Sequence, residues 1–246
     1  MRGIHSPYNG RRIPSLELLN PSEELAYVIG VKVGDGYVSK KSRVRKCYND
    51  VMIGLEAKDK EFIEEFDRCL AKVLGRREIR PRYRRSSGRY VVEVESKTLY
   101  ELLKKPVDLH RLKKYIEHCE KCVAAFIRGF ADSEGSVDKN GNITIYNTDL
   151  RLPTYINDLL RRLGIESTGP MLKARRGTIF YDPRMGKKYM HNKDAYVIYI
   201  RASSNMRFYR YVGFAITRKQ AWLENYVKRN TGAPTLPQPF PNPSSK

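Results

Sequence analysis

Apolar residues recur with helical spacing in two well-separated stretches. Phe62, Ile63, Phe66, Leu70, Val73 and Leu74 mark one face of a helix over Lys60–Leu74. Tyr155, Ile156, Leu159, Leu160 and Leu163 do the same over Leu150–Leu163. Each stretch runs into a glycine, Gly75 or Gly164, suited to the turn that stops a helix. A strand precedes each helix, Val51–Leu55 in one case and Ile143–Tyr146 in the other. The polar stretch Tyr37–Arg45 also reads as a strand. Behind the first helix, Glu78–Arg85 and Arg89–Glu95 flank Ser86-Ser87-Gly88, a hairpin signal. Behind the second, Met171–Tyr181 and Ala195–Arg201 flank a longer loop rich in Pro, Gly and Lys. Helical sequence closes each part, over Lys97–His118 and Asn205–Lys228. The predicted order is helix, two strands, helix, two strands, helix, given twice, an α+β class. The division expected is a basic arm over 1–19, half-domains over 20–118 and 119–230, and a flexible Pro-rich tail over 231–246.

The helix that opens each half carries a repeated motif. Residues 28–36 read Val-Ile-Gly-Val-Lys-Val-Gly-Asp-Gly, and residues 127–135 read Ile-Arg-Gly-Phe-Ala-Asp-Ser-Glu-Gly. Both fit apolar-x-Gly-apolar-x-x-small-acid-Gly, with the acids Asp35 and Glu134 spaced 99 positions apart. Asn20 as N-cap, Pro21 at the first helical position and Glu23 three residues after the cap mark the start of the first helix. Ala26, Gly30 and Gly34 recur every four residues, as do Ala125, Gly129 and Ser133. Four-residue spacing puts them on one helix face, and a face without large side chains lets two backbones approach. If the two motif helices pack side by side and parallel, Asp35 and Glu134 meet at one end of the seam. Two close carboxylates repel, and the helix C-termini add partial negative charge. With the backbone carbonyls of Gly34 and Ser133, this oxygen-rich pocket suits Mg2+. Gly36 and Gly135 let the chain turn away afterwards.

Charge points to the partner. The 246 residues include 47 Lys and Arg against 27 Asp and Glu, a net charge of +20. Residues 1–118 hold 26 basic and 17 acidic residues and residues 119–246 hold 21 and 10, so both halves are basic. Such a charge calls for an anionic partner. A wholly disordered basic tail protein is excluded by 41% hydrophobic and 11% aromatic residues. The apolar runs fall far short of the ~20 residues that span a bilayer. Met1-Arg2-Gly3-Ile4-His5 lacks a signal-peptide core, so no membrane partner and an intracellular location are expected. Cys119 and Cys122 form a CxxC without a second CxxC or paired His, and they read as plain helix residues in a reducing compartment.

The two motifs, Val28–Gly36 and Ile127–Gly135, resemble the signature helices of the single-chain LAGLIDADG homing endonucleases, and the likeness covers roughly residues 20–230. The resemblance implies two pseudo-symmetric αββαββα half-domains joined at the motif helices, with saddle-shaped antiparallel sheets on the DNA major groove. It implies that the last motif acids, Asp35 and Glu134, bind divalent metal, Mg2+ or another cation, and drive phosphodiester hydrolysis. The partner implied is double-stranded DNA with a long, non-palindromic target, bound by a monomer, in the cytoplasm of a prokaryote or in an organelle otherwise. A basic residue beside each pocket is also implied, for which Lys58 and Lys219 are the candidates. The first motif departs from the family pattern at Lys32 and Val33, which touches packing rather than the metal position. The alternatives are an RNA-binding maturase, a regulator of the same fold without chemistry, and a structural RNA-binding protein. No intein splicing block is present, which favours an intron-encoded protein.

Strand alternation marks the candidate DNA contacts. Arg80, Arg82 and Arg84 alternate and are expected on one strand face, as are Arg43 and Arg45. Lys173 and Arg175 alternate in the second half, with Lys193 and Arg201 near its last strand. The loop Asp182–Asp194, with Arg184, Lys187 and Lys188, is expected to wrap the duplex. Arg reads guanine in bidentate fashion, and either basic residue neutralises phosphate.

Overall fold

A computed structural model describes residues 19–42, 49–183 and 185–232 of the chain. The first half runs α1 (Glu23–Val33), β1 (Tyr37–Ser42), β2 (Asn49–Ala57), α2 (Lys60–Leu74), β3 (Arg82–Arg84), β4 (Arg89–Glu95), α3 (Lys97–Leu103) and α4 (Leu109–Ile116). The second runs α5 (Glu120–Glu134), β5 (Gly135–Val137), β6 (Ile143–Asn147), α6 (Arg151–Arg162), β7 (Ser167–Ala174), β8 (Ile179–Asp182), β9 (Lys187–Met190), β10 (Ala195–Ile200), α7 (Asn205–Tyr211) and α8 (Thr217–Thr231). Two antiparallel four-stranded sheets, ordered β1-β2-β4-β3 and β5-β6-β10-β7, repeat one topology. The class is α+β with two repeated halves, as the order of elements predicts.

Register shows how the repeat positions equivalent residues. Tyr37 pairs with Gly54 and Ala57 with Tyr90 in the first sheet. Ser136 pairs with Thr144 and Asn147 with Tyr196 in the second. Ala57 and Asn147 each end the second strand of their sheet. One face of each sheet builds the core: Ile53, Leu55, Val92 and Val94 lie with Phe62, Ile63, Phe66 and Leu70 of α2. Ile143, Ile145, Ile198 and Ile200 do the same with Ile156, Leu159 and Leu160 of α6. By strand alternation the other face carries Glu56, Glu93 and Glu95 in the first sheet, and Thr144, Tyr146 and Tyr199 in the second. No helix among the described residues is long and apolar enough to cross a membrane.

Four departures from the expected elements have local causes. Ser22, not Asn20, caps α1, its side chain accepting from the Leu25 amide at 3.1 Å. The helix expected over Lys97–His118 is two, because Pro106 lacks the amide a continuous helix needs and Asp108 recaps the chain at the Arg111 amide, 3.1 Å away. The helix expected over Asn205–Lys228 also divides, at Gly213, whose φ of +58° leaves the helical region. The strand expected over Met171–Tyr181 belongs to two strands, and the loop Asp182–Asp194 contains the second arm of a two-stranded hairpin, β8–β9. The expected arm and tail lie, apart from Leu19, Thr231 and Gly232, outside the described residues.

Candidate active site

Helices α1 and α5 run parallel in contact along their small faces. A Cβ on Gly30 would lie 2.2 Å from the Phe126 carbonyl oxygen, and one on Gly129 would lie 2.4 Å from that of Tyr27. Further along, a Cβ on Gly34 would lie 2.5 Å from Cβ of Ser133. Lys121 at the start of α5 lies 3.9 Å from Glu23 at the start of α1, and Gly34 meets Ser133 at the far end, so the helices are parallel and their C-terminal ends come together. Only glycine permits the approach at Gly30 and Gly129, since the obstacle is backbone.

Asp35 and Glu134 meet at that end. Helix α1 stops at Val33, so Asp35 follows in the turn, with part of its surface open to solvent. Helix α5 continues through Glu134, which is half-buried. Burial raises the Glu134 carboxyl to about 7, and the charge of Asp35 pushes in the same direction against Lys219 and a hydrogen bond from Asn147. Removal from water by the surrounding protein also raises Asp35, opposed by Lys219 and Arg89. Asn147 donates its amide to Glu134 Oε1 at 3.2 Å. Each carboxylate is held above its ordinary range, and positive charge supplied from outside would relieve both. All the oxygens offered are hard donors, so the residues fit a divalent cation such as Mg2+ better than a soft metal.

Lys219 reaches this place from α8. It is buried, and its ammonium donates to the carbonyls of Ala131 at 3.1 Å and Asp132 at 2.7 Å. It thereby covers the negative end of α5 while its charge acts on both Asp35 and Glu134. Burial lowers its own pKa, with Asp132, Asp59 and Asp35 opposing that. Lys58 is exposed in the turn after β2 and is not among the charges that shift either carboxylate. The neighbouring Asp59 lies 3.7 Å from Arg218 of α8, so this turn borders the same end of the seam. Ser133 spends its hydroxyl on the Gly129 carbonyl at 3.1 Å.

The basic residues divide. Arg82 and Arg84 share the face of the first sheet away from its core, opposite Val91 and Arg89. There Arg82 pairs with Glu93 at 3.3 Å, and Arg84 pairs with Glu56. Arg80 is a correction: it precedes β3 and does not complete the stripe. Lys173 lies in β7 with its ammonium 3.4 Å from the Tyr199 hydroxyl. Arg175 is also a correction, since β7 ends at Ala174, and bulges between β7 and β10 break the strict alternation. Lys187 and Lys188 stand exposed on β9, Lys193 lies in the turn before β10, and Arg201 directly follows that strand. Arg43, Arg45 and Arg184 lie outside the described residues.

Three residues of the site are beyond the reach of sequence pattern. Asn147 stands out in sequence only as a departure from a basic position, because its contact with Glu134 depends on strand register. Arg89 acts on Asp35, and its position opposite Arg84 is the one available signal. Asp132 is buried, accepts from the Tyr27 hydroxyl at 2.9 Å and the Ala215 amide at 2.9 Å, and so ties α5 to α1 and to the segment entering α8. Burial raises its pKa to about 6, against the charges of Arg128 and Lys219.

Comparisons with known proteins agree with the repeated fold. The uncharacterized protein MJ0398 of Methanocaldococcus jannaschii is 30% identical over 229 residues, covering 92% of this chain and 79% of that protein. The uncharacterized protein MJ0314 of the same organism is 37% identical over 157 residues, 60% of this chain and 57% of its own length. Among solved structures, the homing endonuclease I-DmoI in complex with DNA and Ca has a TM-score of 0.56 at 20% identity, covering 82% of this chain and 97% of that one. Full-length DUF199/WhiA from Thermatoga maritima has a TM-score of 0.50 at 14% identity, covering 90% and 63%. The LAGLIDADG-like domain matches twice, over residues 22–116 and 121–213, one match for each motif helix and the sheet that follows it. The chain therefore belongs to the LAGLIDADG family.

Proposed function

We propose that the protein is a site-specific endonuclease that hydrolyses both strands of duplex DNA with a divalent cation, Mg2+ being the natural choice. One observation carries the reading: Asp35 and Glu134, on separate copies of one motif, share the end of a seam where desolvation raises both and Asp35 raises Glu134 further. Those two carboxylates, with the backbone carbonyls of Gly34 and Ser133, would hold the metal. Bound there, a metal would activate water for in-line attack and stabilise the leaving oxygen. Lys219 sets the local charge from within the protein, and Lys58 borders the site from the first half.

The sheet faces away from the core would meet the major groove, with Arg82, Arg84 and Arg89 from one half and Lys173 from the other. Lys187, Lys188 and Lys193 would extend contact along the backbone, together with Arg175, Arg201, Arg80 and, outside the described residues, Arg43, Arg45 and Arg184. Two halves of different sequence in one chain suit a monomer on a long, non-palindromic target. The likeness to I-DmoI, solved with DNA and Ca and also with DNA and Mn, supports the same partner and divalent metal use. Intron encoding and an intracellular site of action complete the proposal.

DUF199/WhiA has a similar fold, and the one second reading is a DNA-binding protein of this fold without chemistry. Selection from a randomised duplex library in Mg2+ separates the two. Double-strand cleavage at one site, lost in Asp35→Asn and Glu134→Gln with binding kept, supports the endonuclease. Selective binding with no Mg2+-dependent cleavage supports the second reading.

A further inference from the structure

The start of α5 carries chemistry that the nuclease reading does not use. Cys119 is the N-cap of that helix, exposed, with its sulfur 3.4 Å from the Cys122 amide nitrogen that donates to it. Cys122 is buried, one turn further on, and the two sulfurs are 3.3 Å apart. His118 completes a cluster whose sulfur and ring-nitrogen atoms lie within 4.8 Å of one another. In sequence the cysteines read as plain helix residues; Cys122 does lie within α5, but Cys119 stands just outside it as the cap. Where this chain needs only a cap it uses oxygen: Ser22, Ser96 and Asp108 each accept the amide three residues on. A thiol capping α5 with a second thiol at its shoulder is a different device.

We propose that Cys119 and Cys122 form a reversible dithiol–disulfide site at the N-terminus of the second motif helix, with Cys119 as the attacking thiol and small-molecule or protein disulfides as its partners. The helix N-terminus offers partial positive charge and free amides to a thiolate at Cys119. Burial there opposes the charged form, but the Cys122 amide, the His118 side chain, the Cys122 thiol and the Lys121 amide outweigh it and lower the Cys119 pKa. Burial and the neighbouring Cys119 push Cys122 the other way, up to about 12. An exposed, readily ionised thiol followed by a buried, protonated one is the division of labour that exchange requires. The Cys119 thiolate attacks a disulfide RSSR, forms a mixed disulfide and expels RS−. Cys122 then loses its proton to that thiolate and attacks the Cys119 sulfur, expelling the second RS−, which takes a proton from water. The sum is a protein dithiol plus RSSR giving a protein disulfide plus two RSH, with RSSR as the oxidant.

The test equilibrates the full chain in buffers of glutathione disulfide and glutathione, then alkylates and maps peptides. Loss of two hydrogens located at Cys119–Cys122, reversed by excess glutathione, is the expected result. Cys122→Ser should trap one glutathionyl group on Cys119. Iodoacetamide reaction at Cys119 should have a pH midpoint below the ordinary thiol value of 9.0, moved upward by His118→Ala. These two readouts stand even if one variant folds poorly. No Cys119–Cys122 disulfide at a large excess of glutathione disulfide overturns the proposal, as does an ordinary midpoint at Cys119. So does protection of both thiols by one equivalent of Zn2+ at sub-micromolar free metal, which would make the cluster a Cys2His metal site instead.

Discussion

Two carboxylates at the end of a seam make opposite demands with and without metal. Glu134 moves from 4.5 to about 7 on folding, so the folded chain holds its proton where the unfolded chain has lost it. The stability from this group is fully present below 4.5 and is lost as pH rises through about 7. Asp132, with a folded value of about 6, and Asp35, also raised, titrate in the same direction, so the wild-type slope contains all three groups. The metal-free protein should therefore lose thermal stability between acidic and neutral pH. Glu134→Gln should flatten part of that slope, and Asp35→Asn should move the remaining step to lower pH by removing one cause of the shift. Mg2+ should raise the melting temperature more at pH 8 than at pH 6, because it competes with the proton for the pair. Equal Mg2+ stabilisation at both values, measured by calorimetry, would argue against a metal at these carboxylates. For activity, Asp35→Asn and Glu134→Gln should each cost about two orders of magnitude or more in double-strand cleavage, the scale of losing one charge-stabilising group. Near wild-type cutting by either variant would remove that residue from the chemistry. Lys219→Met should leave the Ala131 and Asp132 carbonyls without their ammonium partner at a cost of about 1–3 kcal/mol, read by denaturant titration.

At the scale of elements, the motif helices are set by what is missing from their shared face. Gly30→Leu or Gly129→Leu places a side chain where a carbonyl of the other helix stands, 2.2 and 2.4 Å from where Cβ begins. Overpacking usually costs about 1–3 kcal/mol, and backbone obstacles relax less than side chains, so the upper end or beyond is expected. Unchanged thermal unfolding in both variants would show that the seam tolerates bulk and is not closely packed. This small face is legible in the sequence because it repeats every four residues, as is α2, because its apolar stripe is continuous. The breaks in the closing helices are hidden because Leu99, Leu102, Leu103, Leu112, Tyr115 and Ile116 keep apolar positions on both sides of Pro106. The β8–β9 hairpin is invisible to patterning because both of its faces are exposed. Ile179, Phe180 and Tyr181 on one arm and Tyr189 and Met190 on the other are all exposed. Of the site, the acids are legible from the repeat. The Asn147 contact and the pairing of Arg84 with Glu56 join residues distant in sequence and depend on register, which single-strand alternation does not contain.

At the scale of the whole molecule, the first sheet offers DNA two arginines that its own carboxylates already hold. Arg82 is held by Glu93 and Arg84 by Glu56, and Tyr37 also donates to Glu93, at 2.9 Å. Such ion pairs at a surface are worth about 0–1 kcal/mol, so a duplex can exchange them at little cost, but they fix where the guanidiniums point. Directed arginines should read bases, whereas the exposed Lys187 and Lys188 on the outlying hairpin should meet phosphate. The two roles make different predictions for one assay, cleavage of every single-base variant of the target at several salt concentrations. Arg84→Ala should relax specificity at one position by roughly 1–3 kcal/mol, and Lys173→Ala should do so, if it reads a base, toward the opposite end. Glu56→Gln should partly share the position affected by Arg84→Ala, since it releases the same guanidinium. The paired replacement of Lys187 and Lys188 by Ala should instead weaken binding evenly across sequences. It should also make the salt dependence shallower by up to about 1.8 in log affinity per log salt, about 0.9 for each phosphate no longer neutralised. Uniform loss from Arg84→Ala, with no position relaxed, would place that arginine on phosphate and leave base reading in this half to other residues of the open face. A position-dependent change from the hairpin pair would mean that the ribbon enters a groove.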